Sequence, residues 1–109
     1  MQLYAVYTTV TELGDAERIA HMAIERRLAA CVQRETIQSV YRWQGNVEHA
    51  TEVRLLLKTT AAAYPALVAW LHEHHPYALP AIYALPVAAA SAAYVQWVEA
   101  EVAPPPTVV

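Results

Sequence analysis

The fold of this chain is decided by one stretch, residues 37–60, which reads IQSVYRWQGNVEHATEVRLLLKTT. Two β-prone runs flank a turn, predicted at Gly45-Asn46, where glycine adopts positive φ without steric cost. Apolar and polar residues alternate on both sides of this turn, which is typical of a half-buried antiparallel hairpin. In the second arm the predicted apolar side contains Val53, Leu55 and Leu57, and the predicted polar side contains Glu52, Arg54 and Lys58.

Both arms of this hairpin exceed the usual strand length of about 5–6 residues. We therefore expect its tip, with Tyr41, Trp43 and Val47, to extend beyond what its own domain can cover. An uncovered strand edge with exposed aromatic residues indicates a contact with another chain.

Length and composition favour one domain with a surplus of apolar residues. The 109 residues are 57% hydrophobic, against roughly 45–50% apolar in average domains. A small monomer has too little interior for this much apolar surface, so we expect subunit contacts to bury part of it. The net charge is −3, and the seven Lys and Arg residues are scattered along the chain without a basic stripe, which argues against a nucleic-acid partner.

The remaining composition excludes several classes of protein. A single cysteine forbids an internal disulfide, and with no secretory leader at the start we expect a cytoplasmic location. No apolar run approaches the ~20 residues of a membrane span, so we expect no membrane partner. Only two glycines occur, which excludes a glycine-rich phosphate-binding loop.

The first half of the chain predicts a strand, a helix and the beginning of the hairpin. Residues 3–9 are β-prone and form a central first strand. Apolar residues then recur at helical spacing over residues 12–30, with charged residues on the other side. The apolar pattern is interrupted at residues 33–36, which predicts a bulge or bend before the hairpin.

The second half predicts a helix, an edge strand and a short last helix. The helix begins at Thr60 or Tyr64 and ends near His74, because the proline that follows His75 disfavours the α region for the residue before it. Residues 81–87 form a strand whose internal proline favours an edge position. Ser91 is the expected N-cap of the last helix.

This order of elements is β-α-β-β-α-β followed by one more helix. Two helices then cover one face of a four-stranded antiparallel sheet. We therefore predict an α+β fold: a ferredoxin-like βαββαβ sandwich with a long β-hairpin and an extra C-terminal helix. The domain spans residues 1–102, and residues 103–109 form a proline-rich tail.

Six groups of residues, in order from the first helix to the last, carry a resemblance to a known family. They are RLAACV (27–32), SVYRWQG (39–45), TEV with KT (51–53 and 58–59), HHPY (74–77), ALPV (84–87) and YVQW (94–97). In these segments the chain resembles the CutA family, known for divalent-cation tolerance. The resemblance implies a ferredoxin-like subunit in a tight homotrimer, similar in architecture to PII signalling proteins, that binds copper or similar divalent ions.

Three places depart from the pattern of that family. Tyr7 stands where some members carry a cysteine in the first strand, and Ala81 stands where some carry a glutamate. Residues 34–36 replace an Ile-Pro-Gly-like turn before the hairpin. The first two departures remove a thiolate and a carboxylate, which are two possible metal ligands.

The densest group of candidate metal ligands is His72-Glu73-His74-His75. Imidazole suits copper, zinc and nickel, and copper binds ahead of zinc in the general order of affinity. Consecutive helical residues point about 100° apart, but the helix break before Pro76 frees His75 from that geometry. Together with the resemblance, this predicts a weak site for copper or another divalent cation at His74 and His75, completed by water or by another subunit. The alternative is that these histidines satisfy carbonyl groups and complement the dipole at the helix end.

Other residues have both a functional and a structural interpretation. Cys31, after two alanines, is most simply a buried and inert thiol. Lys58 either faces an anion in a cleft between subunits or blunts a strand edge. Four aromatic residues are candidates for a small-molecule cleft or, as we favour, for packing and subunit contacts: Tyr41, Trp43, Tyr77 and Trp97.

These observations predict a trimeric, non-enzymatic protein that binds divalent metal ions. The alternatives are a PII-like signalling trimer that binds a small effector, and a purely structural trimeric scaffold. An acylphosphatase-like enzyme would need a glycine-rich anion loop and an arginine at the first β–α turn, but residues 8–12 read TTVTE. A copper chaperone would carry Cys-x-x-Cys at that turn, and no cysteine precedes Cys31.

Overall fold

A four-stranded antiparallel sheet forms the frame of the molecule. The computed structural model describes residues 2–102, so the predicted tail at residues 103–109 lies outside the described residues. The elements are β1 (Leu3–Val10), α1 (Leu13–Glu25), β2 (Cys31–Trp43), β3 (Asn46–Thr60), α2 (Tyr64–His74), β4 (Ile82–Pro86) and α3 (Ala92–Glu101). This order confirms the predicted α+β, ferredoxin-like fold. Within residues 2–102, no helix is long and apolar enough to cross a membrane.

The sheet has the strand order β2-β3-β1-β4, with antiparallel neighbours throughout. The first strand is therefore central and β4 is an edge strand, as predicted. All 13 residues of β2 pair with β3, from Cys31 opposite Lys58 to Trp43 opposite Asn46. The pairing of β1 with β3 ends at Val53, so the outer part of the hairpin has no third strand beside it. We call residues 38–51 the overhang.

The turn of the hairpin lies one residue earlier than the sequence predicted. Gln44 and Gly45 are the two turn residues, both with positive φ (49° and 82°), and Asn46 is already paired with Trp43. Two-residue turns of this kind match the right-handed twist of the flanking strands.

The bulge predicted at residues 33–36 is wrong, because the register of β2 with β3 is unbroken there. The interruption of the apolar pattern has another cause. Arg34 lies 3.0 Å from the carboxylate of Glu17 on α1, and Glu35 lies 2.6 Å from the guanidinium of Arg54 on β3. Charged residues stand in a regular strand here because each has an oppositely charged neighbour.

The core lies between the sheet and helices α1 and α2. Val53, Leu55 and Leu57 are buried, as the alternation in the second arm predicted. Their partners in the core are Val6, Val10, Ala16, Ile19, Ala23, Leu67 and Leu71. The opposite side of the sheet is covered by α3 only at one end, where Val98 and Val102 pack on Leu3.

The rest of that opposite side, which we call the open face, carries a row of large side chains. Tyr7 pairs in register with Leu56 on one side and with Tyr83 on the other. Tyr83 and Leu85 are 49% and 53% exposed. The chain therefore presents an apolar sheet surface to solvent.

The second half of the chain follows its prediction closely. Helix α2 begins at Tyr64 and ends at His74, and His75 is extended (φ −78°, ψ 136°), as expected before proline. The side chain of Ser91 accepts a hydrogen bond from the backbone N–H of Tyr94, so it is the N-cap of α3.

Helix α1 ends at Glu25, five residues before the predicted limit of residue 30. Arg27 adopts the left-handed conformation (φ 57°), and the N–H of Leu28 donates to the carbonyl of Ala23 at 2.9 Å. This is a Schellman ending, which usually has glycine at the left-handed position. The sequence carries arginine there, so the usual signal for a helix end is missing.

Arg27 also closes the end of α3. Its Nη2 and Nε donate to the carbonyl oxygens of Ala100 and Glu101 at 2.6 and 3.0 Å. The last carbonyls of a helix have no partner within the helix, and α3 has no basic residue in its own last turn. A single arginine therefore ends one helix with its backbone and caps another with its side chain.

We expect Arg27→Ala to lower the free energy of unfolding by about 1–2 kcal/mol, because α3 loses a charged donor while the strained backbone remains. Arg27→Gly should lose less, since glycine adopts positive φ freely. The control is Arg26→Ala, a neighbouring exposed arginine, which should be nearly neutral. Urea denaturation at one protein concentration measures all three, and equal losses for Arg26→Ala and Arg27→Ala would contradict the capping role.

Candidate functional site

The end of α2 places His74 in a well-defined environment. Its ring stacks on Trp70, with centroids 4.7 Å apart, and its Nδ1 lies 2.9 Å from the carbonyl oxygen of Trp70. A carbonyl oxygen only accepts hydrogen bonds, so Nδ1 carries a proton, and in the neutral ring Nε2 keeps its lone pair. Histidines that bind metals commonly donate their other N–H to such a carbonyl, which orients the ring. Nε2 of His74 has no hydrogen-bond partner within residues 2–102, so it is the ring nitrogen that a metal ion would use.

His75 has both ring nitrogens engaged. Its Nδ1 accepts the backbone N–H of Tyr77 at 3.1 Å, and its Nε2 lies 2.9 Å from Oγ1 of Thr8. Because Nδ1 accepts, the neutral ring carries its proton on Nε2 and donates to Thr8. Burial lowers the pKa of His75 from its usual 6.5, which favours this neutral form.

The histidines do not form a complete metal site in one chain. Among the described residues, no group of three or more His, Cys, Asp or Glu side chains is arranged to hold a metal ion. Arg18 donates to the carbonyl of His74 at 3.1 Å and to Asp15 at 3.3 Å. His72 is exposed on the helix. Metal binding at His74 and His75 stays a prediction. Such a site would need further ligands from water or from another subunit.

Tyr7 and Ala81, at two of the three departures from the family pattern, add no ligand to the histidines. Tyr7 stacks on Tyr83 on the open face, with centroids 5.5 Å apart. His75 instead contacts Thr8, which faces the core. The side chains of adjacent strand residues point to opposite faces of a sheet, so Tyr7 and His75 lie on different sides.

A groove of about 950 Å³ lies beside the overhang of the hairpin. It is bounded by β1, by both hairpin strands and by the segment that connects α2 with β4. Its lining includes Thr9, Thr11, Ile37, Gln38, Ser39, Val40, Tyr41, Trp43, Glu52, Arg54 and residues 77–81. Three of the four aromatic residues predicted for a cleft therefore come together, namely Tyr41, Trp43 and Tyr77.

Glu52 is a buried acid in this groove. It is only 8% exposed, and its Oε2 accepts the hydroxyl proton of Tyr77 at 2.9 Å. The hydroxyl of Tyr77 also lies 2.7 Å from that of Thr11. A tyrosine has one hydroxyl proton, so Thr11 donates to Tyr77. Burial raises the pKa of Tyr77, which therefore keeps its proton and remains a donor.

Arg54 also lines the groove, but its charge is matched by Glu35. Its Nη2 and Nε donate to the same carboxylate oxygen of Glu35 at 2.6 and 3.0 Å. This hydrogen bond raises the pKa of Arg54, and the guanidinium lies over the ring of Tyr7 at 5.4 Å. The guanidinium of Arg54 therefore pairs with Glu35 and not with Glu52.

The other candidates lie apart from the groove. Trp97 lies on α3 next to Tyr94, with ring centroids 5.8 Å apart. Lys58 has Cys31 on one side and β1 on the other, and its ammonium lies 5.7 Å from the ring centroid of Tyr94. Lys58 is therefore on an internal strand, and its interpretation as an edge-blunting residue is wrong. Cys31 is a free thiol that is partly buried.

Sequence analysis missed Glu52 as a site residue. The alternation placed it correctly on the side opposite Val53, but that side was taken to face solvent. Tyr77 covers Glu52 from 25 residues further along the chain. The only signal was the pair of prolines around Tyr77, which indicates a tight connection without saying what it contacts.

The lowered pKa of His75 predicts a pH-dependent stability. Below pH 6.5 the unfolded chain binds a proton at His75 more readily than the folded chain does. The contribution of His75 to the free energy of unfolding is therefore fully present above pH 6.5. It is lost as the pH falls from 6.5 through the lowered pKa of His75 in the folded chain. Urea denaturation at about pH 7.5 and about pH 5.5 should show a smaller loss for His75→Gln than for the parent chain.

The matched control for this measurement is His21→Gln, since the side chain of His21 is 77% exposed on α1. It should lose as much stability as the parent. If His75→Gln and His21→Gln behave alike, His75 does not carry the pH dependence.

The sequence of this chain matches a known protein family and several known proteins. The family described as CutA1 divalent ion tolerance protein matches residues 4–101. The divalent-cation tolerance protein CutA of Thermus thermophilus is 43% identical over 93 residues, which cover 84% of this chain and 90% of that protein. The chain spans only about half the length of the human, mouse and bovine relatives, at 53%, 54% and 53%.

Solved structures agree with the sequence matches. The structure of CutA from Synechococcus elongatus has a TM-score of 0.90 and 41% identity, and it covers 94% of this chain and 91% of that one. A structure of the same Synechococcus protein complexed with a Bis-Tris molecule has a TM-score of 0.87 and 40% identity, covering 93% and 94%. Since the matches include nearly every described residue, the chain belongs to the CutA1 family of divalent ion tolerance proteins.

Proposed function

We propose that this chain is a homotrimeric, non-enzymatic protein that binds divalent cations, copper among them, and supports cation tolerance. The observation that carries the proposal is the free Nε2 of His74, held in place by the stacked ring of Trp70 and by the Trp70 carbonyl. Names in the family describe tolerance and not a catalysed reaction. A cytoplasmic location stays a prediction.

His74 is the first ligand in this proposal, and His75 is the second. Coordination by His75 breaks at least one of its hydrogen bonds, to Tyr77 or to Thr8. The loss of one such bond is worth about 0.5–1.5 kcal/mol, so the pair binds a cation only weakly. Two imidazoles fill half of a four-coordinate site, and water or a neighbouring subunit supplies the rest.

Copper titration of the purified protein by calorimetry tests this assignment. The double variant His74→Ala, His75→Ala should bind copper at least about tenfold more weakly at neutral pH, because both imidazoles are lost. His21→Ala removes an exposed histidine on α1 and should bind like the parent. Binding to the parent should also weaken as the pH falls, because protons compete with copper for the imidazole nitrogens. A double variant that binds as tightly as the parent would put the site elsewhere.

The proposal of a homotrimer is supported by the apolar surface of the overhang and of the open face. Val40, Trp43 and Val47 on the overhang are 65%, 42% and 57% exposed. Strands β2 and β4 each pair on one side only within the described sheet. Unpaired edges and large apolar patches are liabilities in a monomer. A closed ring of copies covers both at once.

We expect a trimer that persists at micromolar concentration, with Trp43 as an anchor of the interface. Trp43→Ala should weaken assembly by about 2–4 kcal/mol, because truncated aromatic anchors lose a well-packed contact. Leu13→Ala is the control, since Leu13 is 51% exposed on α1, which packs on the other side of the sheet from the open face. Sedimentation velocity measures both variants, and a stable, folded monomer of the parent chain would refute the proposal.

A second candidate function is binding of a small effector, as in PII-like signalling proteins. The groove beside the overhang favours it, because a buried acid, two hydroxyl groups and aromatic rings converge there. The structure of the Synechococcus relative complexed with Bis-Tris also supports a small-molecule site in the family. A purely structural trimer differs from both functions in one respect: no ligand would raise its melting temperature.

A further inference from the structure

We propose that Tyr77 sets the affinity of the cation site at the end of α2, because its backbone N–H competes with the cation for Nδ1 of His75. The inference rests on the proposed binding of divalent cations by His74 and His75, and it names a residue that regulates that same site. Every contact on which it depends lies within one chain, and none involves the overhang.

The first support is that Nδ1 is the ring nitrogen of His75 that a cation can reach. Nε2 lies 2.9 Å from Oγ1 of Thr8, which is completely buried on the core side of the sheet. A cation at Nε2 would lie among close-packed core side chains, where the water that completes its coordination has no room. Nδ1 faces the connection after α2, where Pro76 is exposed and Tyr77 is partly exposed.

The second support is that the lone pair on Nδ1 is already in use. It accepts the backbone N–H of Tyr77 at 3.1 Å. A neutral imidazole has only one such lone pair, because its other nitrogen carries the proton. If the ring turned away from Tyr77 to free Nδ1, it would also lose its contact with Thr8. The Tyr77 N–H and a cation therefore exclude each other at His75.

The third support is that the side chain of Tyr77 holds its backbone in the competing position. Its hydroxyl donates to the buried carboxylate of Glu52 at 2.9 Å and lies 2.7 Å from the hydroxyl of Thr11. Its ring packs edge-on against His75, with centroids 5.0 Å apart. Hydrogen bonds to a charged group are stronger than those between neutral groups. These contacts stabilise the cation-free state and so weaken cation binding.

A purely structural role for Tyr77 leads to the opposite expectation. If Tyr77 only held the site together, loosening it would lower the stability of the chain and weaken cation binding as well. If Tyr77 competes with the cation, loosening it lowers the stability of the cation-free chain but strengthens cation binding. The sign of the change in affinity therefore distinguishes the two roles.

Tyr77→Phe tests the proposal, because it removes the hydroxyl and keeps the ring and the backbone N–H. Copper titration by calorimetry, on the full chain in its native assembly, should show binding about three- to tenfold tighter than that of the parent. Urea denaturation without copper should show a lower stability. Tyr64→Phe removes a hydroxyl at the start of α2 and should bind copper like the parent.

A cycle of variants assigns the effect to His75. His75→Gln offers an amide oxygen to the Tyr77 N–H but removes the imidazole. In this background Tyr77→Phe should change the copper affinity by less than about twofold, because the competition is gone. Thr11→Val in the parent should strengthen copper binding less than Tyr77→Phe does, since the hydrogen bond to the Glu52 carboxylate remains.

The outcomes separate this inference from the function on which it rests. If the double variant His74→Ala, His75→Ala loses copper binding while Tyr77→Phe leaves it unchanged or weakens it, the histidines bind the cation but the inference about Tyr77 is wrong. The inference is also wrong if Tyr77→Phe strengthens binding equally in the His75→Gln background. If the parent binds no copper, or if the double variant binds as tightly as the parent, the proposed cation site and this inference are both overturned.

Discussion

The pairing of β2 with β3 is the constraint on which the rest of the structure depends. The two strands remain in register over all 13 residues of β2, whereas β1 pairs with β3 only from Val53 onward. One strand therefore has two roles. Its second half supplies Leu55 and Leu57 to the core, and its first half extends outside the domain. The overhang and the groove beside it both result from this difference in length.

The segment after α2 connects the two candidate sites. Pro76 ends the helix, and Tyr77 then contacts both neighbours: its backbone N–H donates to His75, and its hydroxyl donates to Glu52. His75 lies on the core side of the sheet through Thr8, and Glu52 lies on the opposite side. Tyr77 thus contacts a candidate metal ligand with its backbone and the acid of the groove with its hydroxyl.

Within the CutA1 family, this chain carries Tyr7 and Ala81 at two positions that the sequence analysis singled out. Tyr7 is an aromatic ring that stacks on Tyr83 and lies under Arg54. The side chain at this position contributes to the open face of the sheet. Ala81 offers no carboxylate to the groove, and Glu52 is the buried carboxylate among the residues that line it.

Sequence alone determined the order of elements and the faces of the hairpin, because both follow from local rules. Alternation identified Val53, Leu55 and Leu57 as core residues, and the proline after His75 set the end of α2. These local rules gave a wrong prediction where contacts between residues distant in sequence determine the structure. Ion pairs keep Arg34 and Glu35 in a regular strand in place of the predicted bulge.

Only the tertiary structure decided the chemistry of the candidate site. The sequence pattern places Glu52 on the polar side of the hairpin. In the fold Glu52 is buried, because Tyr77 from a distant segment covers it. The state of each histidine ring likewise depends on its partners, the carbonyl of Trp70 for His74 and the hydroxyl of Thr8 for His75. Sequence pattern records which face a residue occupies, whereas hydrogen bonds and burial between distant residues are properties of the folded chain.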